Sequence, residues 1–403
     1  MQKPELLIPA GNLEKLRTAV LYGADAVYVG VEGLSLRAAQ AEFGFDDLAQ
    51  GIREAHQAGV KVYAAMNTFA RNRDLPKIKI AAKQVSDLGI DALIVSDPGV
   101  LQTIREVSPK LPIHLSTQAN TMNAAAVRFW QRQGVERIVL ARELNLAETA
   151  EIATEVPEVE LELFIHGAMC MSYSGRCYLS AHRNRRSSNQ GDCTQPCRWE
   201  YRLVESTRPD DPFIMEEDER YTYLLSSKDL CMIEFLPEII EAGVSSLKIE
   251  GRMKSSYYVA VVTRTYRWAI DAYLKNPLNY QCQSEWQEEL RKISYRGYTT
   301  GFYFETDKIN EISPDTKYIQ SYDLIGTVIG YAPEVKQIGV GVRNRIVAGD
   351  EVELLLANDT IPLNTHEMTD INGLAVKEAH NGYQVYFEVK QGIPAGAVLR
   401  RKL

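Results

Sequence analysis

A chain of 403 residues with 45 % hydrophobic and 24 % charged residues sits in the range of ordinary globular proteins, long enough to bury a large core without covalent staples. Its 45 lysines and arginines against 53 acids give a net charge of −8, which argues against a whole-surface nucleic-acid binder but leaves room for a local basic patch. The N-terminal run MQKPELLIPAGNLEKLRTAV shows no secretory signal and no stretch approaches the ~18 apolar residues of a membrane span, so a cytoplasmic protein that does not enter a membrane is expected.

The first 250 residues repeat one pattern, a short apolar run followed by an amphipathic stretch closed by Gly. The apolar runs are ELLIPAG (5–11), DAVYVG (25–30), KVYAAMN (61–67), DALIVSD (91–97), IHLSTQAN (113–120), RIVLARE (137–143), LELFIHG (161–167) and SLKIEG (246–251). Nearly continuous β-branched and aliphatic strands suit a parallel sheet covered on both faces. NLEKLRTAVLYG, DDLAQGIREAHQAG and NAAAVRFWQRQG read as helices that begin near Asn or Asp and stop at Gly. Eight strands, seven connections and a last helix from about Ser255 to Leu274 count out a (β/α)8 barrel over 1–275. A doubly wound open sheet is the runner-up, but no Gly-rich dinucleotide fingerprint follows the first strand.

The seventh connection breaks the rhythm: an insertion at about 168–226 separates LELFIHG from a helix expected near Asp229. Residues 276–320 read as a helical or irregular, tyrosine-rich connector. From 321 to 403 short alternating runs (LIGTVIGY, QIGVGVRN, DEVELLLA, GYQVYFEV, AVLRRKL) predict a small antiparallel β-barrel of five to seven strands. HEMTD at 366–370 places Asp370 where a zinc-binding HExxH needs its second histidine, and reads as a turn.

Four of the six cysteines, Cys170, Cys177, Cys193 and Cys197, stand in the insertion with six, fifteen and three residues between them. A reducing compartment argues against disulfides. The spacing departs from the close CxxC pairs of structural zinc and is compatible with an iron–sulfur cluster, so zinc and iron–sulfur both stay open, with the cluster favoured. A Cys170–His166 nucleophile pair is conceivable, but no other protease machinery is visible. Six arginines (Arg176, Arg183, Arg185, Arg186, Arg198, Arg202) oppose two acids, Asp192 and Glu200, between 176 and 202, a run that reads equally as a solvated loop or as a local basic patch for nucleic-acid phosphates. Tyr173, Tyr178, Trp199 and Tyr201 lie close enough in sequence to stack on bases, and each reads equally well as core packing.

On a barrel of this kind the chemistry belongs at the C-terminal ends of the strands. The polar residues there are Asn67, Asp97, Ser116, Gln118, Asn120, Arg142, Glu143, His166, Glu250 and Arg252, most of which read equally well as helix caps. Two groups stand out: STQAN after the fifth strand, with Gln118, and KIEGR after the eighth. Lys248, Glu250, Arg252 and Lys254 occupy the quarter where such barrels bind anions.

PELLIPAGN, YGADAVYVG, ALIVSDPG, IHLSTQAN, FIHGAMCMSYSGRCYLS, GDCTQPCRWEY and SLKIEGRMKS together resemble the collagenase-like U-32 peptidase family, over about residues 4–270 and on into the C-terminal β-domain. Within it the chain is most similar to the tRNA hydroxylation branch, which helps make 5-hydroxyuridine at the wobble position. Other members hydroxylate ribosomal RNA or a ubiquinone precursor, and these, or a peptidase, are the alternative readings. The resemblance implies a [4Fe–4S] cluster, prephenate in place of dioxygen, the tRNA anticodon loop as partner, and an iron–sulfur delivery or redox partner. It puts Cys170, Cys177 and Cys193 on the shared ligands, with Cys197 as the fourth and Cys231 as the alternative, while Cys282 is expected to be structural. Gln118, His166, Glu250 and Arg252 are the expected catalytic residues, and Lys248, Lys254, Arg183, Arg185 and Arg186 the expected substrate contacts.

Overall fold

The computed structural model describes residues 3–36, 43–170, 172–199, 217–218, 221–222, 227–304 and 318–403. Seven strands run parallel in chain order: β1 (Glu5–Pro9), β2 (Ala26–Gly30), β3 (Lys61–Met66), β4 (Ala92–Val95), β5 (Ile113–Leu115), β6 (Arg137–Val139) and β7 (Glu160–Ala168). The upper end of β7 pairs antiparallel with β8 (Asp229–Cys231), Ala168 facing Asp229. The eighth barrel strand, β9 (Ser246–Ile249), bonds to β7 on one side and β1 on the other, so the sheet closes. The expected barrel is present, and each of its strands reads as the buried run the sequence predicts.

Helices α1 (Leu13–Leu21), α2 (Phe45–Gln57), α3 (Leu75–Asp87), α4 (Pro98–Val107), α5 (Ala124–Arg132) and α6 (Leu146–Glu155) follow the first six strands. Asn12, Asp97 and Asn123 cap α1, α4 and α5 through their side-chain oxygens, and Asn145 forms a capping box with Glu148 on α6. Asp97 is thus a cap rather than a site residue. The insertion carries the short α7 (Leu179–Asn184). After it, the helix expected near Asp229 is instead β8; the chain turns helical only at α8 (Leu236–Glu241), where Pro237 sits in the first turn. The long α9 (Ser256–Lys275), capped by Ser255, and α10 (Ser284–Arg291) complete this part, and β10 (Tyr298–Thr299) lies parallel to β8.

The C-terminal sheet comprises β11 (Tyr322–Ala332), β12 (Gln337–Val342), β13 (Val352–Leu355), β14 (Thr360–Leu363), β15 (Gln384–Glu388) and β16 (Val398–Lys402), in the order β14-β13-β16-β11-β12-β15. It is antiparallel and curls around Ile325, Ile338, Val340, Leu354, Phe387 and Leu399. Among the described residues its edge strands β14 and β15 do not pair with each other. The sheet seats on α1, α9 and α10. Tyr22 donates to the Leu355 carbonyl at 2.7 Å and accepts the Val398 amide at 3.0 Å. Beside it Glu289 accepts both guanidinium arms of Arg400 at 2.9 Å and one of Arg264 at 2.5 Å, all three residues buried.

Candidate active site

The barrel interior is charged at its lower end. Lys248 reaches Glu162 at 2.6 Å, and Arg137 bridges Glu5 at 2.5 Å and Glu162 at 3.5 Å. Tyr63 donates to the second Glu5 oxygen at 2.6 Å. Glu162 and Lys248 are buried, so each charge persists because an opposite one lies beside it. His114 packs edge-on to Tyr63 at 4.6 Å; burial first, then Arg137 and Lys248, keeps its imidazole neutral and well below its ordinary range.

Above this floor opens a cavity of about 330 Å³. Its lining brings together Cys170, Cys177, Cys193 and Cys197, which the sequence scatters over the insertion, and the strand-end residues Asn67, Ser116, Gln118, Arg142, Lys248, Glu250 and Arg252. All six cysteines are free thiols. Burial pushes the Cys197 thiol up; Arg198 opposes this, and Cys170, Cys193 and Cys177 add to it, so those three lie within electrostatic reach of Cys197. Among the described residues no three His, Cys, Asp or Glu side chains are grouped tightly enough to hold a single metal ion.

The loop that bears the thiols is wired to the barrel. Glu143, just after β6, accepts the Ser174 amide at 2.6 Å and its hydroxyl at 2.5 Å, and so holds Ser174 at a φ of 45°. Arg176 donates to the Gln118 carbonyl at 2.7 Å. Asn189 accepts the Cys177 amide at 3.3 Å, and Ser188 donates to its carbonyl at 2.5 Å. Two main-chain amides then point at sulfur: Leu179 N–H donates to Cys177 Sγ and Gln195 N–H to Cys193 Sγ, each at 3.4 Å. In both cases the donor lies two residues after the cysteine.

The predicted residues divide. Arg252 lines the cavity, buried, and donates to Ser35 Oγ at 3.1 Å and to the Leu36 carbonyl. Glu250 lies 3.7 Å from Arg142, whose guanidinium also covers the Phe164 ring at 3.8 Å. His166 does not line the cavity. It is enclosed by Tyr258, Tyr266 and Tyr298 with ring centroids 5.4 to 6.0 Å away, and burial drives its imidazole down to about 3. Lys254 also lies off the cavity; it donates to the Ser294 carbonyl at 3.1 Å, sits over Tyr318 at 4.4 Å, and burial lowers it to about 8. Cys231 is 3.9 Å from the Tyr266 hydroxyl, pushed up to about 12 by burial, and takes no part in the cavity wall.

Arg183, Arg185 and Arg186 are exposed on α7 and the turn after it, and Arg186 pairs with Asp192 at 2.5 Å. Tyr173, Tyr178 and Trp199 are exposed beside them, Tyr178 by 82 %. Tyr201 and Arg202 lie outside the described residues. Sequence reasoning had Glu143 among the strand-end candidates without a role; its grip on Ser174 spans 31 positions, and no local signal announces it. Asn67 and Ser116, joined at 3.3 Å, are likewise cavity residues that the sequence offered as ordinary caps.

The profile of "Peptidase family U32" matches residues 11–313, and that of the "Peptidase family U32 C-terminal domain" matches 320–400. The chain belongs to peptidase family U32. Relatives in the family include tRNA hydroxylation protein P1 of Bacillus subtilis, 42 % identical over 87 % of this chain and 83 % of that protein. The tRNA hydroxylation protein P of Escherichia coli is 38 % identical over 98 % of this chain and 95 % of its own length. A more distant U32 relative, the 23S rRNA 5-hydroxycytidine C2501 synthase of Escherichia coli, is 34 % identical over 91 % of this chain and 55 % of that protein. Among the described residues no helix is long and apolar enough to cross a membrane.

Proposed function

We propose that this chain is a tRNA-modifying enzyme that hydroxylates carbon 5 of wobble uridine, with a [4Fe–4S] cluster held by Cys170, Cys177, Cys193 and Cys197 and prephenate as co-substrate. The tRNA hydroxylation proteins to which it is 38–42 % identical support the reaction class. One observation carries the cluster: four free thiols line a single cavity, and main-chain amides already donate to two of the sulfurs. That donor set fits the group. A cubane takes one thiolate at each iron, so its ligands need to surround a volume rather than clasp one ion. Arg142 and Arg252 in the same lining offset part of the negative charge of four thiolates. Cys231, enclosed with Tyr266, is set aside as fourth ligand.

When bound there, such a cluster would supply a redox or Lewis-acid centre. The rest falls to side chains. Hydroxylation inserts oxygen into a carbon–hydrogen bond and takes two electrons from the base, so a co-substrate that gives up an oxygen and is itself reduced by those two electrons has to share the cavity with it. Arg252 and Arg142 are the guanidinium groups suited to a dicarboxylate such as prephenate, since a planar fork can bind a carboxylate through two bonds. Lys248 is committed to Glu162 and tunes the floor instead. Outside the cavity, Arg183, Arg185, Arg186 and the exposed Tyr178 and Trp199 offer phosphate contacts and stacking faces to a single-stranded anticodon loop. An iron–sulfur delivery or redox partner completes the proposal.

A peptidase built on Cys170 and His166 finds no support, since His166 is shut away among three tyrosines. The test is mass spectrometry of tRNA nucleosides from cells lacking this gene and any redundant hydroxylase, paired with iron and sulfide assays of anaerobically purified protein. Loss of 5-hydroxyuridine derivatives and about four irons per chain are expected. Undiminished 5-hydroxyuridine would transfer the proposal to ribosomal RNA or a small molecule.

A further inference from the structure

Gln118 carries a buried amide oxygen with no partner among the described residues. The residue is 7 % exposed and lines the cavity, and its Oε1 accepts no hydrogen bond from any described residue. Its main chain is fixed by a one-turn 3-10 helix, Thr117–Ala119, and by the Arg176 bond to its carbonyl. An enclosed acceptor left unpaired costs free energy that a ligand recovers only by bringing an N–H or O–H. A carboxylate brings neither, so this oxygen does not serve the carboxylate groups of a dicarboxylate. The cavity therefore has two unlike walls. Asn67, Ser116 and Gln118 make an uncharged one after β3 and β5, and Arg142, Lys248, Glu250 and Arg252 make a charged one from β6 and β9.

We infer that the uncharged wall is the base subsite, in which Gln118 accepts the N3–H of a uracil ring through Oε1 and donates through Nε2 to the adjacent ring carbonyl. This rests on the RNA-hydroxylation reading above. An amide side chain presents the donor–acceptor pair that matches a base edge, and unstacked bases are read on their Watson–Crick edges. The carbon 5–carbon 6 edge lies across the ring from N3, so a base held this way turns its reacting edge away from Gln118 and into the cavity that the thiols share.

The experiment uses synthetic anticodon stem-loops with uridine or N3-methyluridine at the wobble position, titrated by fluorescence anisotropy against anaerobically purified protein. N3-methylation should weaken binding to wild type roughly tenfold. Gln118→Ala should weaken the uridine stem-loop by a similar factor, and methylation should then cost nothing more. Equal wild-type affinity for the two stem-loops, a result that needs no variant to fold, overturns the inference. So does a methylation penalty that persists in Gln118→Ala. Wild type that binds neither stem-loop overturns the RNA reading itself, whereas equal binding of both leaves that reading standing and removes only the base subsite.

Discussion

Two buried polar clusters in this molecule are built from similar residue types and end differently. At the junction with the C-terminal sheet, Glu289 is gripped by Arg264, Arg400 and Lys292, and Arg400 reaches on to Glu353 at 2.7 Å. At the barrel mouth, the Gln118 oxygen has no partner among the described residues, and the sulfurs of Cys177 and Cys193 accept main-chain amides while lining a cavity. The junction spends its charges on itself and joins two parts of the fold. The mouth holds polar groups in place for something brought from outside. Changes at the first should therefore register as lost stability, and changes at the second as lost loading or activity in a folded protein.

The largest effect should come from the mouth. Cys170→Ser, Cys177→Ser, Cys193→Ser and Cys197→Ser should each abolish most bound iron and sulfide while urea midpoints stay close to wild type. Cys231→Ser should keep its iron. The reverse outcome for Cys197 and Cys231 would break the comparison at its centre.

Glu289→Ala probes the other side. It strands two buried guanidiniums and should cost about 3–5 kcal/mol in urea unfolding, with iron content unchanged in the folded fraction. Acid should mimic it. Burial alone would raise the Glu289 carboxyl, but the Arg400 hydrogen bonds and the charges of Arg264 and Arg400 outweigh burial and hold it at about 2. Because the folded value lies below the unfolded one, this stabilisation is complete above about pH 4.5 and drains away as the pH falls through about 2. Wild type should lose stability across that window more steeply than Glu289→Ala; parallel curves would remove the carboxyl from its assigned role.

Arg252→Lys should lower hydroxylation about a hundredfold by misplacing the co-substrate, with the cluster's absorption spectrum intact. Loss of both together would make Arg252 a member of the scaffold, through Ser35 and Leu36, rather than an anchor. The smallest effect belongs to the surface. Replacing Arg183, Arg185 and Arg186 together by Gln should flatten the salt dependence of tRNA affinity by about one to two units of log–log slope. The lower figure applies if the Arg186–Asp192 pair already removes Arg186 from phosphate binding. An unchanged slope would return this face to the solvated surface.

The barrel was legible because buried parallel strands and Gly-terminated helices write two different periodicities, and both survive in the chain in order. The β8 strand was not legible. Asp229–Cys231 is too short to show alternation, and only its pairing with the overhanging end of β7 makes it a strand. The four cavity cysteines were readable as a group because cysteine is otherwise scarce here, and the structure separates them from Cys231 by burial against Tyr266, which spacing could not reveal. His166 and Lys254 misled for one reason: a strand-end position does not say whether a side chain turns into the barrel or back into the helical layer. Glu143 and Gln118 act across long stretches of sequence, and such pairings exist only once the chain has folded.

The ladder between Ala168 and Asp229 has a bearing on how far the barrel depends on its insertion. It ties the chain on either side of the insertion together, Ala168 opposite Asp229, beside a barrel whose strands pair with one another. Gly167, at a φ of 108°, lets β7 pass the Glu250 carbonyl, where any larger residue would collide. The barrel's ladders run from strand to strand without passing through the thiol-bearing loop, so a substitution among the four thiols should leave the barrel folded.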